Sequence, residues 1–285
     1  MSPTTPRFLM GMRAWQELCG ELDRVAPDEG LAVPLMSIEL RRGLAHPVQT
    51  MYLDQIKHVI IPRLFLLPGH LQDNSWARVQ ALAGSDEALQ TRIDRCLDIY
   101  PRLRPAGFIH SHPFAKARTW PSSGPRGDIE GHLKPLMQRN GQSGLATGFS
   151  LIACRNRSGR GWKLQAFALD RQAQVADCGM VQPAPEGHPA LRRALRGHAM
   201  QQQAGRKIIL PWLQHMKSSG LQVQTQSLFD GWLRCDLLLN EERRISVLLP
   251  ADFPRHSPRV YLRKRNRWET GRSRLPEAQF IKEVA

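Results

Sequence analysis

The chain is short of acid, of paired cysteines and of long apolar runs. Only 25 Asp and Glu stand against 40 Lys and Arg in 285 residues, a formal net charge of +15. Such a balance favours acidic partners: a nucleic acid, an acidic protein face or a membrane surface. The five cysteines (Cys19, Cys96, Cys154, Cys178 and Cys235) are scattered, and none forms a C-x-x-C pair. This argues against a disulfide framework and a Cys-based zinc finger, and fits a reducing cytoplasm. No window approaches the ~18 uninterrupted apolar residues of a membrane span. The amino terminus has no long apolar core behind a basic start, so no secretory signal is expected. Internal repeats and long low-complexity tracts are also missing.

What remains is ordinary for a folded protein. The hydrophobic fraction is 41%, enough for a packed core, and the length suits one large domain or two smaller ones. The charge is uneven. Residues 186–285 hold 18 basic and 9 acidic residues, against 22 and 16 in 1–185. "RVYLRKRNRWETGRSR" carries much of the excess.

Spacing predicts the elements. Met12, Trp15, Leu18, Cys19, Leu22 and Val25 recur at steps of three and four, which predicts a helix over 12–25 that Pro27 ends. "GLAVPLMSIEL" reads as a strand, and "TMYLDQIKHVIIPRLFLLPG" as one or two more, interrupted at Pro62. Ser85-Asp86-Glu87 predicts a helix start, with Leu89, Ile93, Cys96, Leu97 and Tyr100 as its apolar stripe and Pro101 and Pro105 closing it. "AGFIH" is a short apolar strand. A helix follows from Asp128, with Ile129, His132, Leu133, Leu136 and Met137 on one face, and "GFSLIAC" with "GWKLQAFALD" forms a hairpin. This order predicts an α/β domain over 1–180, a mixed sheet flanked by helices. Residues 181–190 read as a linker. Residues 191–285 read as a smaller basic α+β domain, with helices in "LRRALRGHAMQQQ" and "IILPWLQHMKSSG" and strands in "LFDGWLRCDLLL", "RRISVLLP" and "RVYL".

The stretch "GFIHSHPFAKARTWPSSGPRGDIEGH" carries the candidate chemistry. Residues i and i+2 of a strand share a face, so His110 and His112 can present two imidazoles together. Asp128, at the next helix start, can add a carboxylate. Two nitrogens and one oxygen would leave zinc a fourth position for a reactive water.

Here the chain resembles the JAB/MPN family of zinc metalloproteases, whose fold is cytidine-deaminase-like. "GFIHSHPF…WPSSGPRGD" looks like its JAMM motif, and the likeness covers roughly residues 12–170. The resemblance implies Zn2+ held by His110, His112 and Asp128, with Glu130 as a substitute for the last. It implies a glutamate base at the helix-to-strand junction: Glu29, with Glu39 as the rival. It implies an oxyanion-stabilising serine, Ser122 or Ser123. The motif here is longer than the family's, with nine residues between His112 and Ser122 and five between Ser122 and Asp128. Trp120 either lines a substrate groove or anchors the loop. The implied activity is cleavage of an isopeptide or peptide bond after the tail of a ubiquitin-like protein, in a bacterial ubiquitin-like conjugation or anti-phage setting.

"RRISVLLPADFPRHSPRVYL" loosely resembles ubiquitin-conjugating and RWD-like folds, without a catalytic cysteine downstream of Cys235. That resemblance implies a binding module for the ubiquitin-like protein or its conjugation machinery. Two other readings remain open: a metal-free MPN scaffold, and a basic nucleic-acid-binding protein. The basic run at 259–274 holds only Tyr261 and Trp268 as aromatics for the last of these.

Overall fold

The computed structural model describes residues 5–26, 29–41, 50–67, 87–100, 102–112, 120–124, 127–142, 144–156, 161–196, 203–227, 232–238, 243–250, 253, 258–264 and 267–271. The chain divides into two units, Met1–Leu195 and Arg196–Ala285. The first has the mixed α/β architecture expected, a large sheet flanked by helices. Its elements are β1 (Arg7–Gly11), α1 (Met12–Val25), β2 (Leu31–Leu40), β3 (Ile56–Leu66), α2 (Glu87–Ile99), β4 (Gly107–His112), α3 (Lys134–Gln142), β5 (Phe149–Arg155), β6 (Trp162–Leu169), β7 (Val175–Met180), β8 (Gln182–Ala184) and α4 (Pro189–Ala194).

The sheet runs β7-β6-β5-β4-β2-β3-β1-β8. β4 and β5 are parallel, joined through α3 in a βαβ crossover. Only Val181 separates β7 from β8, although they lie at opposite ends of the strand order. One extended segment therefore borders β6 and then β1, which brings the two ends of the sheet together and limits exposed edge. The stretch 181–190 thus holds a strand of the first sheet and the start of α4. Residues Ala190, Leu191 and Ala194 of α4 pack with Leu35 and Ile60 from β2 and β3.

Helix α1 forms over the expected residues, with Leu18 and Leu22 buried and Trp15, Cys19 and Val25 partly so; Ala14 joins the buried side and Met12 is exposed. β3 runs unbroken through Pro62. The β2–β3 register skips from Leu35–Arg63 to Ser37–Ile60, so Pro62 falls in a bulge and its missing N–H costs no bond with β2. Phe8, Phe108, Phe149 and Phe167 are fully buried, each burial worth about 2–3 kcal/mol. Pro27, Ser85, Asp86 and Pro101, the expected helix boundaries, lie outside the described residues, as does the side chain of Leu89.

The second unit is a helix on a meander. α5 (Gln203–Ser218) is followed by β9 (Gln222–Ser227), β10 (Leu233–Leu238), β11 (Arg243–Leu249), β12 (Arg259–Lys264) and β13 (Arg267–Gly271). The strands pair antiparallel in sequence order. Ile209, Leu213 and Met216 of α5 pack on Cys235, Leu237, Ile245, Val247, Leu249 and Val260 of the sheet. α5 continues through Pro211. Among the described residues no helix is long and apolar enough to cross a membrane.

Candidate functional site

The site lies at the carboxyl end of β4, where the crossover to β5 begins, the usual location for polar groups in an α/β sheet. β4 is buried from Gly107 to Ser111. Alternation places Phe108 and His110 on one face and Ile109 and Ser111 on the other. Ser111 ties β4 to the end of the α1–β2 connection: its backbone N–H donates to Gly30 O at 3.0 Å, and the Gly30 N–H donates to Ser111 Oγ at 2.7 Å. A Cβ on Gly30 would lie 2.5 Å from Leu22 Cδ2 and 3.1 Å from Val25 Cγ2, so any larger residue there would have to displace these α1 side chains. The tie holds neighbouring Glu29 beside the cluster.

A second anchor fixes Asp128. The chain from Trp120 folds back so that the Ser122 N–H donates to Asp128 Oδ2 at 2.8 Å and Ser122 Oγ at 2.9 Å. The Asp128 N–H returns a bond to Ser122 Oγ at 3.0 Å. Gly127 allows this turn, since a Cβ there would meet Ser122 O and Ser123 O, both at 2.7 Å. Asp128 opens a π-helical turn, Ile129–Leu133, ahead of α3. Such wide turns are frequent at functional sites. Asn140 seats α3 on the sheet by donating to Ala106 O and Thr147 O.

His110 Nε2 lies 3.2 Å from His112 Nε2 and 3.5 Å from Asp128 Oδ1. Phe108 stacks on His110 and meets His132 edge-on at 5.1 Å. Burial drives the His110 pKa down to about 4; Asp128 opposes that shift and His112 adds to it. Burial also drives His132 down to about 3, against Asp128 and with His110. Both rings are therefore neutral at neutral pH. Burial pushes the Asp128 carboxyl up, but His110, the two Ser122 bonds and His132 outweigh it, and the net shift is downward. Glu29 lies at the surface, yet partial burial raises its pKa, with His112 lowering and Asp128 raising it.

The structure thus gathers His110, His112, Asp128 and Ser122, with Glu29 in electrostatic reach. Ser122 and Ser123 are both exposed, and of the two it is Ser122 that engages Asp128. Trp120 is half exposed and rests edge-on against Phe167 at 5.3 Å. Glu39 is elsewhere, held by Arg193 Nε at 2.8 Å and His58 Nδ1 at 3.0 Å. Glu130 pairs with Lys134. His132, read from the sequence as part of an apolar stripe, is the neighbour that spacing alone did not attach to the cluster.

The zinc expectation is corrected here. Among the described residues no group of three or more His, Cys, Asp and Glu side chains could hold a metal ion. The physical reason is that the polar atoms are turned on one another. A hydrogen bond between the two Nε2 atoms needs a proton on one of them, whereas a metal needs a bare lone pair from each. Asp128 Oδ2 is committed to Ser122. Zn2+ as cofactor, the JAMM-type metalloprotease and its isopeptidase action on ubiquitin-like conjugates, in a conjugation or anti-phage setting, fall with that finding. No family model matches the chain, and no curated protein matches it. The JAB/MPN resemblance over 12–170 and the ubiquitin-conjugating or RWD resemblance of the C-terminal part are therefore withdrawn, and what stands is the mixed α/β architecture.

Proposed function

We propose that the protein binds nucleic acid through its C-terminal unit, with the N-terminal unit as a folded scaffold. The observation that carries this reading is the register of like charges in the second sheet. Arg243 lies opposite Lys264, Arg244 opposite Arg263, and Lys264 opposite Arg267. Like charges directly opposite one another disfavour a sheet. All three occur at one end, where β11 begins and β12 turns into β13. In sequence, 241–244 and 263–267 hold six basic residues and two acidic ones, Glu241 and Glu242. Five of the six are arginine, whose planar fork suits phosphate oxygens. A phosphate backbone laid there relieves the repulsion and gains from released counterions.

The surrounding charge supports the same reading. Residues 196–285 carry 16 basic and 8 acidic residues, and the chain's pI is about 10.5, in the range of nucleic-acid-binding domains. The test is fluorescence anisotropy with labelled DNA and RNA oligonucleotides. Dissociation constants in the ~1–100 μM range are expected at about 150 mM salt, weakening as salt rises. Replacing Arg244 and Arg263 together by Gln should weaken binding several-fold. Binding to an acidic protein, with none to either nucleic acid, would replace this reading with protein docking.

A further inference from the structure

We infer that the free edge of β9 docks an extended acidic peptide segment of a partner protein, which joins the second sheet as an added strand; the inference does not depend on the nucleic-acid reading above. β9 ends the sheet on one side. It pairs with β10 in unbroken register, from Gln222–Leu238 to Ser227–Leu233. In an antiparallel strand, alternate residues turn both N–H and C=O to opposite sides. Half of β9 therefore bonds to β10. The other half directs donors and acceptors away from it, to a side where no strand pairs among the described residues.

Edge strands are normally blunted by charge, proline, a bulge or a cover. β13, at the opposite end of the sheet, follows that rule with Arg267 and Glu269. β9, "QVQTQS", has no charge, no proline and no bulge. Gln224, Thr225 and Gln226 are consecutive, so they point to both faces of the strand, and all three are exposed. This stretch lies open on both faces as well as at its edge. Six residues at about 3.3 Å each span ~20 Å, room for a peptide of the same length held by main-chain bonds.

Charge selects the occupant. From Arg196 to Phe229 the chain has four basic residues (Arg196, Arg206, Lys207 and Lys217) and no acid. Arg206, Lys207 and Lys217 are exposed on α5, which packs against β9. The acid paired with β9, Asp236 opposite Gln224, is buried and already accepts from Arg234 Nε at 2.8 Å and from Ser246 Oγ. A second copy of this chain would bring another unit with 16 basic and 8 acidic residues, and like charge opposes that pairing. Phosphate oxygens accept but do not donate, so a nucleic acid would leave the edge carbonyls unmatched. An acidic strand gains the main-chain bonds and the attraction together.

The experiment uses the full chain and a fluorescent peptide of alternating glutamate and valine, about seven residues long to match the edge. In anisotropy at about 150 mM salt, it should bind at least ~10-fold more tightly than its counterpart with lysine for glutamate. N-methylating every second residue of the peptide removes the donors on one side of the strand. One methylated set should weaken binding about 10-fold or more, since several hydrogen bonds are lost, while the other set stays within ~2-fold. Bound peptide should also slow hydrogen exchange at the β9 amides. Replacing Gln222, Gln224 and Gln226 together by Glu should weaken binding several-fold; the methylated peptides test strand addition even if that variant fails to fold. No binding of the acidic peptide, equal effects of the two methylated sets, or unchanged exchange at β9 overturns the inference. So does a preference for the lysine peptide, or a dimer whose β9 amides are protected without peptide, which would assign the edge to a second copy. These outcomes leave the nucleic-acid reading to its own oligonucleotides; an oligonucleotide that itself slows exchange along β9 would give the edge to nucleic acid and overturn the peptide.

Discussion

Replacing His132 by Gln should make the protein less sensitive to acid. His132 is buried and its folded-state pKa is lowered to about 3, against about 6.5 in an unfolded chain. The unfolded state therefore takes up the proton first. The stability associated with the neutral ring is fully present above about pH 6.5 and is lost as pH falls from there towards 3. Over that window one such group changes stability by about 1.4 kcal/mol per pH unit. Between about pH 7 and pH 5 the loss is on the order of 2 kcal/mol for His132, and similar for His110, whose pKa is lowered to about 4. Gln cannot titrate, so the variant should lose about 2 kcal/mol less than wild type between those pH values, whatever its stability at pH 7. Urea unfolding of both proteins at the two pH values, compared as a difference of differences, gives the number. Equal losses in the two proteins would refute the placement of His132 as a buried neutral ring.

Three further substitutions test the packing around the site. Ser122→Ala removes the hydroxyl that both donates to and accepts from Asp128 and should cost about 1–3 kcal/mol, while Ser123→Ala, at an exposed position, should stay within about 0.5 kcal/mol; thermal unfolding of the pair separates the two serines. Asn140→Leu removes the side-chain donor to Thr147 O and one of two donors to Ala106 O, which keeps the Phe149 N–H, and should lower stability by about 1–3 kcal/mol in urea unfolding. Gly30→Ala forces its methyl against Leu22 and should cost about 1–3 kcal/mol, read as a lower thermal midpoint.

Strong local patterns were legible in the sequence. The three-and-four spacing of α1 and the apolar run of β4 both emerge as elements, and His110, His112, Ser122 and Asp128 do meet. Their joint chemistry was not legible. Residue spacing says which groups come together, but not which lone pairs stay free, and here Asp128 turns to Ser122 while the two imidazoles face each other. β9 was missed because "QVQTQS" has one apolar side chain; cross-strand pairing with β10 makes it a strand, a long-range effect that local propensity does not contain. β8 was read as linker for a similar reason: it is three residues long and is defined by pairing with β1. The like-charge pairs of the second sheet also depend on register, which composition alone could not supply.

The salt dependence of binding tests the central claim most directly. For a single strand, log K should fall linearly with log salt, with a slope of about −0.7 per phosphate neutralised. Wild type should show a slope of about −2 or steeper, and replacing Arg244, Arg263 and Lys264 together by Gln should reduce its magnitude by about 2, three contacts at ~0.7 each. No measurable binding at low salt, or the same slope in wild type and variant, would contradict the account.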